Sequence, residues 1–368
     1  MIRAFRYPLR PTKAQEATLE VYLRRCQQLY NAALEQRRDA YRKQRKTVSY
    51  VIQSKDLTEL RQNDMDFGAV PTTILRSALK RVDLGYRAFF RRIKSGEKPG
   101  FPRFKGRDRF KSFSFLVPPS IQGSKILVPR IGPVKFHEYR PVQGVPLDAT
   151  IHKDSRGWSV SIQCDLGEAL AKPIPSTHAG VDVGLTCFAT LSTGEKIENP
   201  RFFRRSEVLL AARQRRLSLK KRGSRSRQRA KCLVARAYEH VRNQRLDFIR
   251  KLVVALFSKY DLVAYEDLNI RGMVHGNLSK SIYDAAWGLL IHALNCKAEE
   301  AGKWAVGVDP RGTSQGCSRC GKVPSVKKTL SDQVHLCECG PPLDRDHNAA
   351  MNIDALGLSA VEGGRKAA

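Results

Sequence analysis

Three acids stand where the surrounding pattern leaves them little water. Asp182 interrupts the apolar run AGVDVGL, Glu266 closes the run DLVAYE, and Asp346 falls where DRDHNAAMNIDAL begins a helical pattern. A carboxylate in a near-continuous apolar strand is costly unless a cation compensates it. Carboxylates are hard oxygen donors suited to Mg²⁺, and two such ions roughly 3.5–4 Å apart can activate a water and stabilise the leaving oxygen of a phosphodiester. Taken singly, each acid is equally consistent with capping a strand end or pairing with an arginine. The case for chemistry lies in the three together and in their order along the chain.

A second constellation is Cys317-x2-Cys320, sixteen residues, then Cys337-x-Cys339. Two short knuckles at such a separation place four thiolates around one Zn²⁺, and four protein ligands leave no open position, so the metal is read as structural. The second pair is one residue short, so its knuckle is distorted or His335 replaces Cys337 as a ligand. Plain reduced thiols are the simpler alternative. The other five cysteines (Cys26, Cys164, Cys187, Cys232 and Cys296) are scattered, which points to a reducing compartment and not to a disulfide framework.

Charge supplies the third signal. Lys and Arg number 66 against 35 Asp and Glu, a formal +31. A small-molecule enzyme has no use for that excess, whereas a polyphosphate partner is bound through counterion release. Residues 201–251 carry 18 Lys or Arg against three acids, a net of +15. Within them, RRLSLKKRGSRSRQRAK at 215–231 presents Arg215, Arg216, Lys220, Lys221, Arg222, Arg225, Arg227 and Arg229. A charge run is ordinarily a solvated face, but Leu209, Leu210, Leu217, Leu219, Leu233 and Val234 recur at spacings a packed helix uses, which favours an arm along a phosphate backbone. In GFPRFKGRDRFKSFSF at 100–115, Arg103, Lys105, Arg107, Arg109 and Lys111 interleave with Phe101, Phe104, Phe110, Phe113 and Phe115. Such aromatics can stack on bases, although Phe113 and Phe115 alternate as core residues of a strand do.

The elements that must position these groups follow from periodicity. With 368 residues, at least two domains are expected, and 42% hydrophobic residues exclude a disordered basic tail. No apolar run approaches the ~18 residues of a membrane span, so a soluble, cytoplasmic protein is expected. Amphipathic helices are read over 12–45 and from Pro71 to Gly96, short alternating strands over 112–166, and a linker in AKPIPST at 171–177. Beyond it come a strand, a turn and a second strand, the long basic helical region, strands at 261–269 and 303–309 with a helix around Trp287 between them, the cysteines, and a last helix from 344. That succession is the order of an RNase H-like fold.

The set GFPRFKGR at 100–107, GVDVGL at 180–185, YEDLN at 265–269, TSQGCSRCG at 313–321 and DRDHNAAMNI at 344–353 resembles the TnpB family, insertion-sequence-encoded RNA-guided nucleases related to type V CRISPR effectors. The resemblance runs over essentially the whole chain and departs from the pattern only in the short second cysteine pair. It implies an α/β multidomain protein. An N-terminal wedge β-barrel (1–10 and 99–173) would carry a helical recognition lobe (11–98). An RNase H-like RuvC nuclease domain (174–310 and 344–368) would carry a zinc ribbon (311–343). By that likeness Asp182, Glu266 and Asp346 are the three RuvC carboxylates that hold Mg²⁺, and the four cysteines hold Zn²⁺. It further implies a monomer in a ribonucleoprotein, nucleoid-associated in a prokaryote. Such a protein binds a transposon-end guide RNA, recognises a short target-adjacent motif and cleaves double-stranded DNA in a single RuvC site. Guide–target pairing then supplies specificity, and the protein needs mainly backbone contacts. Two other readings are a nuclease-silent RNA-guided DNA-binding protein, which the presence of all three acids disfavours, and a RuvC-like transposase or resolvase acting without guide RNA, for which the chain offers no well-placed Tyr or Ser nucleophile.

Overall fold

The computed structural model describes residues 1–168, 170–324, 328 and 332–366, with side chains through residue 363. Residues 169, 325–327, 329–331 and 367–368, which fall in the segments read above as 99–173, 311–343 and 344–368, lie outside the described residues. Two compact units divide the chain between residues 168 and 169, next to the Pro-rich stretch. Among the described residues no helix is long and apolar enough to cross a membrane.

The first unit opens with β1 (Ile2–Arg10) and then inserts four helices, α1 (Lys13–Gln44), α2 (Tyr50–Asn63), α3 (Met65–Gly68) and α4 (Thr72–Lys94), before the remaining strands. Those are β2 (Ser112–Ser114), β3 (Ile121–Gln122), β4 (Lys125–Val128), β5 (Gly132–Phe136), β6 (Val145–Asp154) and β7 (Gly157–Asp165). They form one antiparallel sheet in the order β2-β6-β7-β1-β5-β4-β3. β1 is shared between neighbours: Ile2 to Pro8 pair with β7, and Leu9 and Arg10 with β5. Its alternate residues Phe5, Tyr7 and Leu9 point into the core, as period-2 alternation requires. Thr12 starts α1 with a capping box to Gln15, which satisfies two otherwise orphaned amides. The helix α2 was not marked out by periodicity, since it buries only Gln53 and Leu57.

Of the five phenylalanines weighed as stacking groups, Phe110, Phe113 and Phe115 belong to this core. That corrects the stacking expectation for them: Phe113 and Phe115 are turned inward by strand alternation, and Phe110 packs against Tyr30 of α1 under the Arg81 guanidinium. Phe101 and Phe104 remain 44% and 43% exposed, with the Arg38 guanidinium over both rings.

The second unit holds β8 (His178–Val183), β9 (Cys187–Leu191), β10 (Lys196–Glu198), α5 (Phe202–Ser218), α6 (Arg225–Lys259), β11 (Leu262–Glu266), α7 (Ile270–Met273), α8 (Ser279–Ala285), α9 (Trp287–Ala301), β12 (Trp304–Val308), β13 (Val334–Cys337), β14 (Gly340–Asp344) and α10 (Arg345–Lys366). Its main sheet is mixed, in the order β10-β9-β8-β11-β12. β9 runs antiparallel to β8 and β10, while β8, β11 and β12 are parallel. One face packs Val181, Phe188, Val263 and Tyr265 against Ile249, Val253, Leu290 and Leu294 of α6 and α9. The other packs Leu262, Ala264 and Val308 against Ile353 and Val361 of α10. Burial on both faces is why these strands read as continuous apolar runs. α10 reaches the sheet because two glycines let it. A Cβ on Gly180 would stand 2.1 Å from the Ala350 carbonyl oxygen, and one on Gly357 would stand 2.3 Å from the Ala264 Cβ.

Candidate active site and metal centre

Each acid owes its place to a backbone ladder or a cap. Asp182 and Glu266 lie on the adjacent parallel strands β8 and β11, one residue past the paired Val181 and Tyr265, so they emerge at the same end of the sheet. Asp182 is the fifth residue of six in its strand. Asp346 stands in the first turn of α10, whose start is capped by Asp344: its Oδ1 accepts the amides of Asp346 and His347 at 3.1 and 3.0 Å. Lys196 holds the other oxygen of Asp344 at 2.7 Å. His347 donates from Nε2 to the Ser192 carbonyl at 3.0 Å, pinning the helix start to the β9–β10 turn.

Burial, reinforced by the charges of Glu266 and Asp346, pushes the Asp182 carboxyl up to about 8; Arg345 opposes this only in part. Burial also raises the Glu266 carboxyl, while a hydrogen bond from the Thr313 hydroxyl works against the rise. The Asp182 carboxyl thus feels both other acids in a poorly solvated space, the situation in which a bound cation is most favourable. They are not drawn into a single tight chelate. Asp346 is turned to Arg345, Oδ1 to Nη2 at 3.0 Å. Among the described residues the group of potential ligands whose donor atoms all lie within 4.8 Å of one another is the cysteines alone.

Those four, Cys317, Cys320, Cys337 and Cys339, form the second centre. Sγ of Cys317 lies 3.4 Å from that of Cys339, and Sγ of Cys320 lies 3.6 Å from that of Cys337. The β13–β14 hairpin carries the second pair, and the missing residue is absorbed by a register shift between His335 and Cys337. His335 is not part of the set. It is 2% exposed and receives the Lys328 ammonium at Nδ1. Burial disfavours the Cys317 thiolate, yet the amides of Cys320 and Arg319 and the His335 side chain stabilise it, so the thiol is lowered to about 5. Its neighbour Cys339 is instead pushed up to about 12 by the surrounding sulfurs, as when clustered thiols share protons, and a soft four-sulfur set of this kind fits Zn²⁺.

The basic region is two helices and not one. α5 and α6 form a hairpin broken at Leu219–Ser224, where Ser224 caps α6 through the Arg227 amide. Arg215, Arg216, Lys221, Arg222, Arg225 and Arg229 are exposed and Lys220 is half-buried. Arg227 turns inward and donates from Nη1 to the carbonyls of Leu217 and Lys220 at 3.0 and 2.8 Å. In the first unit, Arg103 and Arg107 are exposed and Lys105 is half-buried. The Lys105 peptide is clamped by Asn31, which accepts its N–H at 2.9 Å and donates to its carbonyl at 3.0 Å.

Sequence reasoning passed over Asp284. This 6%-exposed acid accepts the Phe203 and Arg204 amides at the start of α5 and the Arg245 guanidinium from α6. Thr313, Asn348 and Asn352 lie inside the motifs TSQGCSRCG and DRDHNAAMNI, where sequence reasoning gives them no role; Thr313 ties the segment leading to Cys317 to Glu266, and the asparagines tie it to α10. The asparagines had a signal, polar residues four apart on a helix face otherwise made of Ala349, Ala350 and Ile353.

Fold and sites together define a two-unit α/β protein that sets a carboxylate cluster on a mixed sheet beside a four-cysteine metal centre. Residues 161–276 match the OrfB_IS605 family model, described as "Probable transposase". Residues 287–353 match a "Cas12f1-like, TNB domain", and residues 1–46 match an OrfB_IS605 "Helix-turn-helix domain", although here that stretch is one strand and one unbroken helix. A Streptomyces pristinaespiralis protein named "Putative RNA-guided DNA endonuclease" is 35% identical over 372 residues, spanning 97% of this chain and 90% of that protein. "Putative RNA-guided DNA endonuclease InsQ" of Escherichia coli (strain K12) is 26% identical over 385 residues, 98% and 93% of the two chains. The Cas12f1 chain of a cryo-EM Cas12f1–sgRNA–target DNA complex shares the fold, with a TM-score of 0.59 and 13% identity over 93% of this chain and 83% of that one. The chain belongs to the OrfB_IS605 family of transposon-encoded proteins, the TnpB family.

Proposed function

We propose that this chain is an RNA-guided DNA endonuclease of a transposable element, cutting double-stranded DNA at one carboxylate site formed by Asp182, Glu266 and Asp346. The observation that carries the reading is the placement of Asp182 and Glu266 on neighbouring parallel strands with Asp346 at the start of the helix packed across them, so that burial and like charge together disfavour ionised Asp182. The sheet order β10-β9-β8-β11-β12 supports an RNase H-like, RuvC assignment for 174–310 and 344–368. In the first unit, the strand shared between β7 and β5 supports a wedge barrel in 1–10 and 99–173, with helices of 11–98 inserted as a recognition lobe.

When bound, Mg²⁺ at the three carboxylates supplies an activated water and neutralises charge on the leaving oxygen. The chain's own contribution is to hold three acids close in a water-poor space, with β8 and β11 fixing two of them and the Asp344 cap fixing the third. Zn²⁺ at the four cysteines supplies folding energy to the β13–β14 hairpin. The exposed arginines of α5 and α6 give a dense cationic surface for the phosphates of guide RNA and target DNA. Sequencing the RNA that copurifies with the protein tests the guided reading: enrichment of one transposon-end transcript is expected, and a bulk RNA profile without enrichment contradicts it.

A further inference from the structure

The segment between β12 and the first cysteine knuckle is bonded to two of the three carboxylate-bearing elements, β11 and α10. Thr313 is 3% exposed. Its hydroxyl lies within hydrogen-bonding reach of Glu266 Oε1 and 3.0 Å from the Pro310 carbonyl. A hydroxyl has one hydrogen to give, and an ionised carboxylate is the stronger acceptor, so Glu266 takes it. Beyond Thr313 the segment is stitched to α10. Asn352 Nδ2 donates to the carbonyls of Thr313 and Gly316 at 2.8 and 2.9 Å. Asn348, fully buried, donates to the Gly316 carbonyl at 2.8 Å and accepts the Ser318 amide at 2.9 Å. Those bonds bracket Cys317 and belong to the helix whose first turn carries Asp346.

A buried threonine that served packing alone could be a valine. Here the hydroxyl fixes one oxygen of Glu266 and leaves the second free to meet a cation, and its backbone is held by the same asparagines that hold the cysteine knuckle. We propose that Thr313 is a positioning residue for Glu266, and that residues 313–318 form a strap joining the cysteine centre to the elements bearing Glu266 and Asp346. This rests on the nuclease reading above.

The test uses the full protein with its RNA, measuring single-turnover cleavage and Mn²⁺ affinity for Thr313→Val and Thr313→Ser. Removing an outer partner of a metal-binding carboxylate typically costs about tenfold or more, so Thr313→Val should lose about tenfold in both while zinc content and RNA affinity stay at wild-type values. Thr313→Ser, which keeps the hydroxyl, should restore both. Should the valine variant fold poorly, Thr313→Ala removes the hydroxyl without adding buried bulk. Wild-type behaviour of the hydroxyl-free variant, equal impairment of Thr313→Ser, or loss of zinc or RNA together with activity would each overturn the assignment. Glu266→Gln, run in parallel, separates the two levels: an active Glu266→Gln overturns the nuclease site itself, whereas an inactive one beside a wild-type Thr313→Val overturns only the positioning role.

Discussion

Asp182 and Glu266 occupy the same register position on adjacent parallel strands, each one residue past the Val181–Tyr265 pair. Their carboxylates therefore meet at one end of the sheet, where α10 brings Asp346 and the 313–318 strap arrives. Local chain chemistry alone does not favour that meeting. It is held by the surrounding core and by the close approach of α10 to the sheet at Gly180 and Gly357.

Protonation of Asp182 stabilises the Mg²⁺-free protein. Its carboxyl sits near 3.8 in the unfolded chain and at about 8 in the fold. The folded state binds the proton more tightly, so this contribution is complete below about pH 4 and is lost as pH rises through about 8. With Mg²⁺ removed and zinc retained, the melting temperature of Asp182→Asn should gain on wild type steadily from about pH 5 to 8. Parallel melting profiles would show that the carboxyl is not held protonated.

At Gly180, β8 and α10 come too close to admit a side chain. An added Cβ would meet the Ala350 carbonyl at 2.1 Å and the Asp354 amide at 2.5 Å, backbone atoms that yield only if the helix lifts. Gly180→Ala should cost about 1–3 kcal/mol in denaturant unfolding and reduce cleavage further by displacing Asp346. Gly276→Ala, where nothing lies within 4 Å, serves as the neutral control.

Zinc content reads the second centre. Cys317→Ser and Cys320→Ser should each bind less zinc and melt at a lower temperature than wild type, because metal binding at such a site is folding free energy. Equal metal content and equal melting in all three proteins would refute a structural zinc.

The basic hairpin separates phosphate contacts from scaffold. Replacing the exposed Arg222 by Ala should weaken RNA binding and reduce the slope of log K against log salt by about 0.7–0.9, with melting unchanged. Arg227→Ala should instead lower the melting temperature, since its guanidinium closes the turn between α5 and α6.

Much of this was legible in the residues. Asp182, Glu266 and Asp346 announced themselves as acids in apolar or helical settings, and the cysteines by spacing. The second unit's strands showed as apolar runs because both faces of the sheet are covered. Less visible were contacts that depend on tertiary placement. The pairing of Ile2 with Asp165 spans most of the first unit, and no local pattern encodes it. Thr313 opens the motif TSQGCSRCG, but nothing local marks its bond to Glu266, since that partner lies 47 residues away. Arg227 is chemically identical to the arginines around it, and only the hairpin geometry turns it inward. His335 looked like a substitute ligand because a register shift that rescues Cys337 cannot be read from spacing.

The most direct measurement is cleavage of guide-matched double-stranded DNA by the Glu266→Gln ribonucleoprotein in Mg²⁺, alongside its DNA affinity. The substitution keeps size and removes charge. Cleavage is expected to vanish while guided DNA binding stays near wild type. Undiminished cutting, with RNA bound and Mg²⁺ present, would contradict the assignment of Glu266 and the site it shares with Asp182 and Asp346.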